Sequence, residues 1–150
     1  VIEFALDTNA CIDLINGTSV PVRSRLKRAL ADGAVVCVST VVLHELWYGV
    51  AKSARREHNT ERLQMFLAGP LEVLEFDEAD ARAAGEVRAG LERRGVPIGA
   101  YDALIAGQAV RRGLTLVTAN AREFDRVDGL MCEDWAGSPA RKRPSHRRRP

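Results

Sequence analysis

Val35-Val36-Cys37-Val38-Ser39-Thr40-Val41-Val42-Leu43-His44-Glu45 passes from a β-branched run into a helix start with no turn residue between them. Four apolar residues in succession, three of them Val, suit a strand covered on both faces, as in a parallel sheet. Ser39 or Thr40 can accept from the free amides of a first helical turn, which predicts a helix to about Lys52. The stretch is therefore one βα unit, and its neighbours on both sides repeat the pattern.

Upstream, Ile2–Leu6 reads as a short strand that ends on the polar Asp7-Thr8-Asn9. Pro21–Asp32 has helical spacing, with Leu26 and Leu30 four apart and Gly33 as the stop. Downstream, a polar-faced helix is expected over Arg55–Leu67. Gly69-Pro70 breaks it before a strand over Leu71–Phe76. Asp77 caps a helix that ends near Arg94-Gly95, and Pro97–Gly99 turns into a helix over Ala100–Arg112. A strand over Leu114–Thr118, a helical turn at Ala121–Phe124 and an apolar patch at Leu130–Trp135 complete the order. Strands separated by helices, with no hairpin turn of the Asn-Gly kind between apolar runs, predict an α/β fold: a parallel sheet flanked by helices.

The 46% apolar content supplies a core for one domain over residues 1–136. Residues 137–150 are Gly, Pro, Ser and Arg without an apolar anchor, so a disordered basic C-terminal tail is expected. Six of the 22 Lys and Arg lie in 141–149 with no acid among them, which leaves the rest of the chain 16 − 20 = −4. The body is not a general basic surface for nucleic acid, so metal ions and local patches must offset its carboxylates if RNA is the substrate. Cys11, Cys37 and Cys132 lack zinc spacing and suit packing roles. With no signal-peptide pattern and no apolar stretch long enough for a bilayer, the expected location is cytoplasmic, away from any membrane.

Three acids stand out. Asp7 ends the first strand, and in open parallel sheets the ligand crevice lies at the strands' carboxyl ends; capping of a following helix is the alternative. Glu45 has Val41, Val42, Tyr48 and Gly49 as its helical neighbours. An acid on such a face must be paired, protonated or bound to a cation, a salt bridge to Arg25 or Arg82 being the alternative to metal. Asp102 opens its helix in line with Ile105, Ala106, Ala109 and Val110, where a favourable first-turn position is the alternative. Three carboxylates entering from different elements repel one another unless a cation lies between them. Mg²⁺, with Mn²⁺ as a substitute, is the hard ion such oxygens hold, and the chemistry it brings is phosphodiester hydrolysis.

Other chemistries lack their parts. There is no phosphate-binding Gly-rich loop with Lys-Ser/Thr and no Gly-x-Ser-x-Gly, and His44, His58 and His146 are the only histidines. His44 adjoins Glu45 but faces another side of the helix, which points to a structural role. Trp47 and Tyr48 suit the core, a dimer seam, a partner groove or a base stack. Arg55-Arg56 and Arg93-Arg94 suit solvated faces or phosphate contacts.

Leu6-Asp7-Thr8-Asn9, Ser39 through Glu45-Leu46 with Gly49, Tyr101-Asp102-Ala103-Leu104-Ile105-Ala106, and Leu116 through Asn120 to Phe124, trailing into Gly129-Leu130 and Asp134-Trp135, occur in this order. Together they resemble the PIN-domain family, and within it the VapC toxins of bacterial toxin–antitoxin pairs, over residues 2–135. The resemblance implies a single PIN-like domain acting as a Mg²⁺-dependent endoribonuclease on RNA. Asp7 and Asp102 are then the main metal ligands and Glu45 the third acid. It further implies a homodimer restrained by a cognate antitoxin protein laid over a groove beside the site. The family often carries a fourth acid where this chain has Asn120. Asn120 can instead hydrogen-bond water at the metal, and Glu123 can supply the carboxylate. Thr8 and Thr118 can orient the ligands through their hydroxyls or serve as plain strand-end caps. Two rivals stand beside this reading: a PIN-like binding subunit with weak or no nuclease activity acting with a DNA-binding partner, and a DNA nuclease.

Overall fold

Strand β1 (Glu3–Leu6) lies at the centre of the sheet, and everything else is placed by its two neighbours. In the computed structural model, which describes residues 3–137, it pairs in parallel with β2 (Val35–Ser39), Ala5 opposite Cys37, and with β4 (Thr115–Val117), Ala5 opposite Leu116. The short edge strands β3 (Glu72–Leu74) and β5 (Met131–Glu133) extend the sheet in parallel to the order β3-β2-β1-β4-β5. Every pairing is parallel, as the unbroken apolar runs imply. Phe4, Ala5, Leu6, Val36, Val38, Leu116 and Val117 are all buried.

Helices α1 (Thr8–Asn16), α2 (Val20–Ala31), α3 (Thr40–Lys52), α4 (Arg56–Leu67), α5 (Glu78–Arg93), α6 (Ala100–Arg112) and the single turn α7 (Ala121–Phe124) connect the strands. Six of these match the expected segments within about two residues. α1 was not foreseen as a helix of its own. Its apolar face is short, Ala10, Cys11, Leu14 and Ile15, and the Asn16-Gly17 pair ends it, Gly17 taking the left-handed φ of 63°. The strand expected over Leu71–Phe76 shrinks to three residues because only one side of β3 has a partner. Ile2 and the tail from Ser138 to Pro150 fall outside the described residues.

α5 and α6 run antiparallel in unusually close contact. A Cβ placed on Gly107 would stand 2.3 Å from the Ala84 Cα, so no side chain fits there. The same pair is fastened by Asp80, which is fully buried. Its carboxylate accepts from Arg112 Nη2 at 2.8 Å, Arg112 Nε at 3.1 Å and Gln108 Nε2 at 3.0 Å. Arg111 Nη1 adds an ion pair at 3.3 Å. Asp80 also closes a reciprocal capping box with Asp77 at the start of α5. Burial alone would raise its pKa, but these donors hold it down at about 2. The clamp fixes α6, and α6 carries Asp102 in its first turn.

At the other end of the domain Trp135 is buried edge-on against Phe4, with ring centroids 5.3 Å apart. Its Nε1–H donates to Glu133 Oε2 at 2.9 Å, and that carboxylate also pairs with Arg25 at 3.3 Å. Arg25 is therefore Glu133's partner and not Glu45's, and Arg82 forms no ion pair among the described residues. Cys11 and Cys37 are buried free thiols, with Cys132 half-buried, in keeping with packing roles. Among the described residues no helix is long and apolar enough to cross a membrane.

Candidate active site

The strand order reverses direction between β1 and β4, so the connections leave to opposite sides and open a crevice at these strands' carboxyl ends. Asp7 is the residue after β1, and Thr118 follows β4. Asp7 does cap α1, its Oδ1 accepting from the Ala10 N–H at 2.8 Å, so the capping alternative holds without removing the carboxylate from the crevice. It is 7% exposed. Burial raises its pKa, against the lowering effect of the Ala10 N–H and the Thr118 side chain, and Glu45 and Asp13 raise it further.

Asp102 enters from α6 and is half-buried. Its pKa is pushed up to about 6, first by burial and then by the negative charges of Glu123, Glu45 and Asp7. Asp102 thus lies near enough to Glu123, Glu45 and Asp7 to feel the charge of each. Gly99, just before α6, has no side chain where a Cβ would lie 3.4 Å from Asp102 Oδ2, and this keeps the approach open.

Each of the remaining acids is held by neutral donors. Glu45 Oε1 accepts from Thr8 Oγ1 at 2.9 Å. Glu123 accepts from Asn120 Nδ2 at 2.5 Å and from the Gly99 N–H at 3.4 Å. Thr118 Oγ1 accepts from the Asn120 N–H at 3.0 Å, so it links the β4 end to the Asn120 turn. Among the described residues no Lys, Arg or His comes within ion-pair distance of these four carboxylates. Nor do any three of the described His, Cys, Asp or Glu side chains converge tightly enough to grip one ion as they stand. The acids ring the crevice without closing into a cage. That is the expected posture of like charges tied back to hydroxyl and amide donors.

Glu45 and Asp102 are half-buried where their apolar helical neighbours suggested deeper burial. The reason is the crevice itself, which exposes one side of each. On the flank of Glu45, α1, α3 and α4 enclose a groove of ≈ 230 Å³ lined by Ile12, Ile15, Leu46, Val50, Leu63 and Arg62. His44 is exposed rather than a core residue, and Trp47 and Tyr48 keep 37% and 60% of their surface in solvent. Sequence reading missed Asp80 entirely. Its signal was the spacing Asp77-x-x-Asp80, a capping box whose second acid faces the arginines that end α6.

Comparison with known proteins bears on the family to which this fold and sequence belong. The PIN domain model matches residues 4–130. The chain is 44% identical over 136 residues to the tRNA(fMet)-specific endonuclease VapC of Shigella flexneri, covering 91% of this chain and 100% of that one. It is 39% identical to ribonuclease VapC2 of Rickettsia felis over 88% of this chain and 97% of that one. The crystal structure of VapBC2 from Rickettsia felis bound to a DNA fragment from its promoter superposes with a TM-score of 0.84 at 37% identity, covering 89% and 99% of the two chains. With the fold and the sequence in accord over nearly the whole body, this chain belongs to the PIN-domain family, among its VapC ribonucleases.

Proposed function

We propose that this chain is the toxin of a toxin–antitoxin pair and cuts a transfer RNA in a Mg²⁺-dependent reaction, with Asp7, Glu45 and Asp102 holding the cation. The observation that carries the reading is that Thr8 bonds Glu45 next to Asp7 and Gly99 bonds Glu123 next to Asp102, while among the described residues no Lys, Arg or His pairs with any of these acids. Hard carboxylate oxygens with no basic partner are the donor set that a divalent ion of this class takes. When bound, the ion supplies Lewis acidity toward the phosphodiester and offsets the charge of the acids.

The chain's own residues do the rest. Asp7 is fixed by its Ala10 and Thr118 bonds, so it presents one oxygen edge to the crevice without reorganisation. Thr8 aims Glu45, and Asn120 aims Glu123, which stands in for the family's fourth acid. Asn120 is exposed beside them, with a side-chain oxygen able to accept from a water near the phosphate. The transfer-RNA substrate rests on the specificity named for the Shigella relative. The partner is a cognate antitoxin, as in the VapBC2 complex. The apolar groove beside Glu45, with Arg62 at its wall, is where its helix would lie across the site.

The test is incubation of the purified chain with initiator tRNA in Mg²⁺, in EDTA, and with Asp7→Asn in Mg²⁺. Cleavage only in the first mixture is expected. Equal cleavage in all three would remove the acid-held metal from the mechanism.

A further inference from the structure

At the mouth of the crevice lies one aromatic contact that core packing does not explain. His44 precedes Glu45 on α3, and Tyr101 precedes Asp102 on α6. Their rings meet across the gap between the two helices with centroids 5.6 Å apart and planes tilted by 37°. The Tyr101 hydroxyl lies 3.5 Å from His44 Nε2. Both residues are exposed, and Tyr101 leaves half of its surface, 50%, in water. Such a pair contributes little to the core. It does present π-faces and polar tips on the residues that immediately precede Glu45 and Asp102 in their helices.

The electrostatics define what this mouth needs. Four carboxylates and a body of net charge 16 − 20 = −4 oppose a polyanion, so holding RNA in register calls for an attraction that does not depend on charge. Stacking of an unpaired base on an aromatic ring is such an attraction, and it works for any base because every base has a π-face. We propose that His44 and Tyr101 form a platform on which the base of a nucleotide next to the scissile phosphate stacks, positioning single-stranded RNA over the acids. The proposal rests on the ribonuclease reading above and adds the residues that set the register of the strand. It also requires the target nucleotide to be unpaired, since a base within a duplex offers no free face. Tyr101 and His44 act here as positioning residues.

The test uses the full chain and a labelled RNA of about 12 nucleotides without secondary structure, bound in Ca²⁺ and followed by fluorescence anisotropy. Tyr101→Leu should raise Kd by about tenfold, the scale of one lost base stack, and His44→Ala should raise it as well. Tyr101→Phe keeps the ring and should bind as the parent does. A single abasic nucleotide scanned along the RNA should weaken binding at one position. At that position Tyr101→Leu should add no further loss. Cleavage should show the same changes in KM, with kcat nearly constant.

An unchanged Kd for Tyr101→Leu would overturn the platform, as would Tyr101→Phe behaving like Tyr101→Leu. A shift of sedimentation between one and two copies in Tyr101→Leu would reassign the pair to a seam between copies. Ring-dependent binding without cleavage would leave the platform standing and sink the ribonuclease reading. Cleavage with a ring-independent Kd would do the reverse. Failure of the parent chain to bind or cut RNA would overturn both.

Discussion

The Thr8 hydroxyl donates to Glu45 Oε1 at 2.9 Å, joining the first turn of α1 to the second turn of α3 across 37 residues of sequence. Thr8 is therefore a steering residue for an acid that has no ion pair among the described residues. Thr8→Val keeps the shape and removes the donor, and activity in Mg²⁺ should fall by about tenfold, as is usual when the partner of a metal ligand is lost. Thr8→Ser should retain most of it. Single-turnover cleavage of tRNA by the two variants makes the comparison.

Asp102 is charged at neutral pH at a cost to stability. Its folded pKa of about 6 lies above the ordinary 3.8, so its contribution to stability is complete below about pH 4 and is lost as pH rises through about 6. Asp102→Asn removes that penalty, so without metal it should raise Tm at pH 7.5 by roughly 3 °C or more. It should also flatten the change in Tm between pH 4 and 6. Asp7→Asn should act in the same direction, because Asn caps a helix as well as Asp does. Both variants should lose cleavage. Calorimetry across pH, paired with an activity assay, reads both halves.

Glu123 and Asn120 are bonded to each other, so their variants should separate by role. Glu123→Gln removes a carboxylate and should reduce cleavage far more than Asn120→Ala, which removes only its guide. Asn120→Asp should maintain or raise activity at saturating Mg²⁺, where the ion offsets the added charge. Small, equal effects of all three would mean that three acids suffice.

The Asp80 clamp predicts acid sensitivity of the opposite sign. Its folded pKa of about 2 lies below the ordinary 3.8, so its contribution is complete above about pH 4 and is lost as pH falls through about 2. Asp80→Ala takes the shared acceptor from Gln108 and Arg112, leaving Arg112 the Glu75 carbonyl and Asp77, and should cost about 2 kcal/mol at neutral pH. The same change should loosen α6 and lower activity although Asp80 lies outside the crevice. Urea unfolding at pH 7 and pH 3 would measure it, with a smaller difference between parent and variant at the lower pH.

Most of the framework was legible because it rests on local patterns. The Val35–Val38 run, the Ser39 cap and the Asp77 cap each specify structure within a few residues, and the observed elements follow them closely. The acids Asp7, Glu45 and Asp102 could be singled out because each breaks an apolar pattern. What escaped depends on partners distant in sequence. α1 is too short for its period to stand out. Asp80 looks like one more charge on an Ala-rich helix until Gln108 and Arg112 are brought to it. His44 offered no partner in the sequence, because the one it meets, Tyr101, lies 57 residues on. The loose posture of the acids was not legible either, since it follows from which neutral donor each carboxylate finds.

The central position of β1 bears on how the enzyme is made. Phe4 sits opposite Thr115 and Leu6 opposite Val117, so one side of β1 finds β2 early in synthesis while its other side waits for a strand more than a hundred residues behind it. A nascent chain that has emerged as far as Asp102 already holds three of the acids, yet it lacks the strand that flanks Asp7 and the turn that brings Glu123. Local helices form early during synthesis, but pairings this distant in sequence are slow and come last. The acid-lined edge is therefore whole only after β4 and the Asn120 turn have been made, late in the synthesis of the domain.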